Sequence, residues 1–132
     1  MISEPGRDLL EEVLRQVVGQ EAQIEWVDEG REWSAHARLV GAGGLVSHVL
    51  TSGEIQMARF EDPPCSTVIL TSTDEDEVRE ALAKLARAVA EYSAGGGHVV
   101  QRKGLFGTRP VLVLRTTEGE WRIGKRSGTI PY

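Results

Sequence analysis

The sequence predicts an α+β fold: a curved, mostly antiparallel sheet of about eight short strands with two amphipathic helices packed on one face. Three observations lead there. Apolar residues recur at helical spacing in two segments, one near the start and one around residues 78–92. The segments between and after them alternate apolar and polar positions, as half-buried strands do. The turns between strands are too short for a parallel crossover, so successive pairings are antiparallel. The expected order is α-βββββ-α-βββ in a single domain spanning 1–132, with an aperiodic tail at 126–132.

Residues 8–19 place Leu9, Leu10, Val13, Leu14, Val17 and Val18 on one broad stripe, with Gly19 as the stop. Asp8, Glu11 and Glu12 come early, where the helix dipole favours negative charge. Residues 22–28 put Ala22, Ile24 and Trp26 on one face, and Asp28-Glu29-Gly30 has turn chemistry. Residues 33–40 alternate again: Trp33, Ala35, Ala37 and Leu39 face one way, Ser34, His36 and Arg38 the other. The two segments read as a hairpin with one wet face. Gly41-Ala42-Gly43-Gly44, Ser52-Gly53 and Asp62-Pro63-Pro64 then introduce strands at 45–51, 54–60 and 66–72. Val68-Ile69-Leu70 is apolar on both faces, which predicts a strand in mid-sheet or under a helix. In the second helix Val78, Leu82, Leu85, Val89 and Tyr92 recur at spacings of four, three, four and three. Ser72 or Thr73 can cap it, with Glu75 or Asp76 completing a capping box, and Gly95-Gly96-Gly97 ends it. Strands near 98–103, at 110–117 and at 120–124 follow, joined by Gly104-Leu105-Phe106-Gly107 and Glu118-Gly119.

The 132 residues are 40% hydrophobic and 27% charged, which suits a packed core and argues against disorder. No apolar run approaches the ~20 residues of a membrane helix. Met1-Ile2-Ser3-Glu4-Pro5 places acid where a signal peptide carries base. The expected location is the cytoplasm, without membrane contact. Cys65 is the only cysteine, which excludes an intramolecular disulfide and a cysteine-rich zinc site. The net charge of −5 hides a split: residues 1–97 hold 18 acidic and 8 basic side chains, residues 98–132 hold 2 and 7. Either the basic strands balance the protein's own acidic helices, or they face an acidic partner or nucleic acid.

Few motifs carry chemistry. Phosphate loops lead from a strand into a helix. The glycines at 41–44 join strand to strand and those at 95–97 follow a helix, so neither fits. His36, His48 and His98 show no helical i, i+4 pair and no His-x-His. His36 is expected on the wet face of its strand. His48 shares a face with Val46 and Leu50 and is expected to point inward, which keeps the two histidines apart. Cys65 follows Glu61 and Asp62, whose charge opposes thiolate formation, and reads as a small buried thiol. Asp74-Glu75-Asp76-Glu77 lacks the glycine-punctuated spacing of a calcium loop and reads as a helix first turn. With no paired acid and base, no metal spacing and no cofactor loop, no catalytic residue, metal or cofactor is assigned.

Two features remain. Arg102, Lys103, Arg109, Arg115, Arg122, Lys125 and Arg126 fall on adjacent strands and the tail, and form a cationic strip if Arg102 and Arg115 share a face. Single-strand binders also need aromatic platforms. Phe106, Trp121 and Tyr132 are the candidates, and against a negative net charge they rank nucleic acid third among possible ligands. Leu105-Phe106 lies between glycines at a hairpin tip, where an exposed apolar pair needs cover from its own helix, a second copy or a partner.

An N-terminal helix, a strand meander, one long amphipathic helix and a final basic hairpin ending near Gly119-Glu120-Trp121-Arg122 make a recognisable order. Over about residues 22–124 it resembles half of the cytosolic substrate chaperones of actinobacterial type VII secretion. Small acidic bacterial immunity proteins and type III secretion chaperones share the same gross description. The resemblance implies partner binding and assigns no site residue.

The first expectation is therefore a small bacterial cytoplasmic protein-binding module, chaperone-like or immunity/adaptor-like and non-catalytic. Its partner contacts are expected at Leu105, Phe106, Arg109 and Trp33, and a homodimer through a strand edge is open. The alternative is a small-molecule binder or enzyme with a pocket between sheet and helices, lined by Trp26, Trp33, His36 and Arg38.

Overall fold

The computed structural model describes residues 5–27, 33–105 and 107–124, and its elements follow the expected order. Helix α1 (Pro5–Val17) begins three residues before the expected start at residue 8. A proline, with no N–H to satisfy, suits a first turn. Strands β1 (Gln23–Trp26), β2 (Ala35–Val40), β3 (Val46–Ser52), β4 (Ile55–Glu61) and β5 (Pro64–Leu70) form an antiparallel meander in sequence order. Helix α2 (Glu75–Ser93) follows. Strands β6 (His98–Gly104), β7 (Gly107–Thr116) and β8 (Gly119–Ile123) make a second antiparallel sheet. The eight strands are thus divided five and three, with β8 lying beside β5 but in a separate sheet. The triplet Val68-Ile69-Leu70 consequently ends a sheet instead of occupying its middle. Ile69 packs on the core, whereas Leu70 is 74% exposed.

The cap of α2 is Asp74, not Ser72 or Thr73. Its carboxylate accepts the Glu77 N–H at 3.1 Å. Ser72 supports the turn instead, accepting the Asp74 N–H and donating to the Glu77 carboxylate. A charged cap gains from the helix dipole as well as from the hydrogen bond, which favours the aspartate. At the other end the Gly96 N–H donates to Glu91 C=O and the Gly95 N–H to Tyr92 C=O. That is a Schellman closure, and Gly95 takes the positive φ of 84° that it requires.

Both helices lie on one face of the five-stranded sheet. Helix α1 packs on β2 and β3, and α2 packs on β3, β4 and also β7, so α2 bridges the two sheets. One buried cluster runs from Leu10 and Leu14 through Leu39, Phe60, Leu82 and Leu85 to Leu114 and Trp121. Gln56 is fully buried yet satisfied: it accepts from the Thr51 hydroxyl and donates to Gly53 C=O and Thr71 Oγ1. Register assigns the faces. Ala37, Val49, Ala58 and Thr67 are successive partners toward the helices, and Arg38, His48, Arg59 and Ser66 are successive partners on the opposite face. Among the described residues no helix is long and apolar enough to cross a membrane.

Candidate functional site

The helix-free face of the meander carries a row of polar side chains. Glu25, Arg38, His48, Arg59 and Ser66 are cross-strand neighbours from β1 to β5. Arg38 pairs with Glu25 at 2.8 Å. No ion pair of the described residues includes Arg59. Diagonally across the row, His36 Nε2 lies 2.8 Å from His48 Nδ1, with ring centroids 5.0 Å apart. His48 Nε2 lies 2.6 Å from Glu61 Oε2. A cleft of about 760 Å³ opens over these groups, walled also by Val27, Phe60, Pro64 and Cys65.

With Glu61 ionised and His48 neutral, the contacts assign the protons. An ionised carboxylate only accepts, so His48 Nε2 carries the hydrogen that Glu61 receives. In neutral His48 the other nitrogen, Nδ1, is then a lone pair, and His36 Nε2–H donates to it. Glu61 thereby orients His48, and His48 orients His36. Among the described residues no group of three or more His, Cys, Asp or Glu is placed to hold a metal ion. The two imidazoles face each other instead of converging on one point, and His98 is exposed on β6 in the other sheet.

This arrangement overturns two expectations. His48 does not point inward away from His36, because Val46, His48 and Leu50 lie on the face away from the helices. Nor are acid and base scattered: two imidazoles and a carboxylate border one cleft. Of the four residues expected to line a pocket, His36 and Arg38 border this cleft, and Trp26 and Trp33 are not among its lining residues. Trp26 pairs with Ala37 on the helix side and lies under the Arg7 guanidinium, 4.7 Å from its ring centre. Trp33 is half-buried just before β2. This cleft therefore opens on the face away from the helices, while a smaller cavity of about 400 Å³ lies between the helices and the sheet, bordered by Gly6, Leu9, Thr51 and Val78.

The turn carrying Glu61 is held from the helix side. The Tyr92 hydroxyl donates to Asp62 C=O at 2.9 Å and accepts the Asp62 N–H at 3.1 Å. Its ring meets Phe60 edge-on at 4.9 Å. Burial raises the Tyr92 pKa above the ordinary phenol value. Cys65, buried beside the cleft, has its thiol pushed up to about 12 by burial. It is no nucleophile at neutral pH. A maleimide should label it in the native protein only at the rate of unfolding, and at full speed in denaturant. The pH dependence follows in sign: an unfolded thiol ionises near ~8.5, while the folded one resists to about 12. Its contribution is complete below the first value and is lost as pH rises toward the second. Denaturant melts between pH 8 and 11 check this.

The second candidate surface is the β6–β7 hairpin. Every described residue from His98 to Pro110 is exposed, including Leu105 at 97%. Val99 and Val100 add apolar surface along β6, which ends its sheet. Arg102 and Arg109 are direct cross-strand partners, and no ion pair of the described residues includes either. Arg115 and Arg122 share that face, and both pair with the one carboxylate of Glu120. Arg122 first, then Arg115, hold the Glu120 carboxyl below the usual carboxylate range. Trp121 is 1% exposed and cannot stack on a base. Phe106 and Tyr132 lie outside the described residues.

Compared with known protein families, curated proteins and solved structures, the chain matches none. Arg59 and Glu61 were not apparent as site residues in the sequence, for they belong to no local motif. Only the register of two successive hairpins brings them beside His48.

Proposed function

We propose that the protein is a bacterial cytoplasmic protein-binding module, chaperone-like or adaptor-like, that grips an extended acidic segment of its partner with the β6–β7 hairpin. One observation carries the reading: an arm exposed on both faces holds Arg102 directly opposite Arg109, and neither has an ion-pair partner among the described residues. Like charges directly opposed on a sheet are unfavourable by roughly 0.2–1 kcal/mol, and a partner carboxylate between them removes that cost. The open edge of β6 can take an added strand through its backbone groups, with Val99, Val100 and Leu105 as apolar contacts. The nucleic-acid reading draws on the same cations but lacks a described aromatic platform.

An extended peptide alternating glutamate with valine is the probe. It should shift the β6 and β7 amide resonances of the native protein, and the affinity should fall with added salt. Arg102→Glu with Arg109→Glu should weaken it at least about tenfold, equal to ~1.4 kcal/mol, without lowering Tm. Leu105→Ser should likewise weaken it and leave stability within about 0.5 kcal/mol, as an exposed site allows. Equal binding of the lysine–valine peptide, or shifts confined to other strands, would refute the reading.

A further inference from the structure

We propose that a second copy of this chain docks on the β6–β7 arm. The arm of one copy seats head-to-tail on an apolar patch of the other, made by the paired ends of β4 and β5. The inference rests on the arm being a gripping surface, and it names one occupant for it.

Among the described residues five large apolar side chains are exposed, and they fall in two places. Val99, Val100 and Leu105 lie on the arm. Ile55 and Leu70 are direct cross-strand partners at the start of β4 and the end of β5, 43% and 74% exposed. Met57 and Val68, the next partners on that face, are half-buried and widen the patch. Both places stay open in the single chain, so neither covers the other. Exposed apolar clusters of this kind mark interaction sites.

The charges around each place select the occupant. On the arm, Arg102, Lys103 and Arg109 are exposed, and no ion pair of the described residues includes them. The other patch is rimmed by acid. Glu54 directly precedes Ile55, and its C=O accepts the Thr71 N–H at 2.8 Å, which ties the two strand ends together. Glu75 and Gly53 border one small cavity, so the start of α2 sits beside the β3–β4 turn. Glu54 and Asp76 are exposed and take part in no ion pair of the described residues. The whole sequence divides the same way, with 18 acidic and 8 basic side chains in residues 1–97 against 2 and 7 in residues 98–132. Arm on arm would set cations against the same cations, and patch on patch would set carboxylates together. Only arm on patch brings opposite signs around a shared apolar centre. The contact is therefore heterologous. An acidic partner must displace the second copy, so the concentration of the protein itself decides how much of the arm is free.

The test uses the full chain and two surface variants. Arg102→Glu with Arg109→Glu reverses the arm and keeps the patch. Leu70→Ser removes the apolar centre of the patch and keeps the arm. Sedimentation equilibrium of the native protein should show a mass that rises with concentration up to about 1 mM and falls back when salt is added. Each variant alone should associate at least about tenfold more weakly. Mixed, the two should bind again, because each supplies the surface that the other lacks. Isotope-labelled Leu70→Ser should then shift at β6 and β7, and the labelled arm variant at Ile55, Leu70 and Asp76. Adding Glu54→Lys and Asp76→Lys to the arm variant should restore its association with itself. Unchanged Tm of each variant, all being surface changes, secures the comparison. A native protein that stays monomeric to about 1 mM overturns the second copy. If the glutamate–valine peptide still shifts β6 and β7, the arm grips and only this occupant is wrong; if neither binds, both readings fall. Association that survives Leu70→Ser, or that mixing does not restore, means that other faces meet and likewise overturns the pairing.

Discussion

Gly41→Ala should cost about 3 kcal/mol and lower Tm by roughly 10 °C. The reason is close approach, not backbone freedom. Gly41 has φ −100° and ψ −162°, extended values open to alanine. A Cβ there, however, would sit 2.5 Å from Ser93 O and 2.6 Å from Ser93 Cα. Both are backbone atoms of the last turn of α2, so no side chain can swing aside. The helix end must move, and with it Tyr92, whose hydroxyl holds Asp62 and the turn that carries Glu61. The damage should therefore reach the cleft, as shifted His48 resonances in whatever fraction remains folded. Gly43 provides the contrast. Its φ is 67° and nothing lies within 4 Å of where a methyl group would sit, so Gly43→Ala should cost only the ~1–2 kcal/mol of a left-handed backbone and leave the cleft unmoved. Denaturant titration of the two variants separates the mechanisms. A Gly41→Ala loss no larger than that of Gly43→Ala would show that α2 yields freely at its end.

Periodicity made the elements legible, and register made the site illegible. Leu9 to Val18 and Val78 to Tyr92 mark their helices because each buries a stripe of side chains, a signal every turn repeats. Alternation likewise places Ala35, Ala37 and Leu39 inside, and they are buried. Alternation within a strand cannot say which face of the next strand joins it. Arg38 pairs with His48, so even-numbered residues of β2 and β3 share a face. His48 pairs with Arg59, so β4 contributes odd-numbered ones. One residue more or fewer between β2 and β3 would send His48 to the helix side. The apolar neighbours Val46 and Leu50 suggested that side, but Leu50 lies on the face away from the helices and is nonetheless only 1% exposed. The division into two sheets was hidden for a related reason. Whether β5 and β8 pair or merely adjoin depends on how α2 seats between them, and nothing local encodes that.

Trp121→Ala should destabilise the protein by about 3–5 kcal/mol, a large share of the ~5–15 kcal/mol that holds a domain folded. Trp121 lies opposite Leu114 on β8, and both are buried with Leu112 and Ile123 on the side that meets α2. Truncation opens a cavity in the part of the core where the two sheets join through that helix. The consequence worth measuring is where stability is lost. If α2 makes the sheets one cooperative unit, hydrogen exchange should accelerate equally at β3 and β7, and far-UV circular dichroism and tryptophan fluorescence should melt together. If protection at β3 stays at its native level while β7 opens, the three-stranded sheet is an appended lobe. The arm depends on the answer. Strand β7 runs ten residues, from the exposed hairpin into buried Leu112, Val113 and Leu114. A two-stranded hairpin alone is marginal in water, so the arm keeps its shape only while the root of β7 is clamped. Trp121→Ala should therefore weaken the glutamate–valine peptide as well, even at a temperature where most of the chain remains folded, although Trp121 itself is out of the peptide's reach.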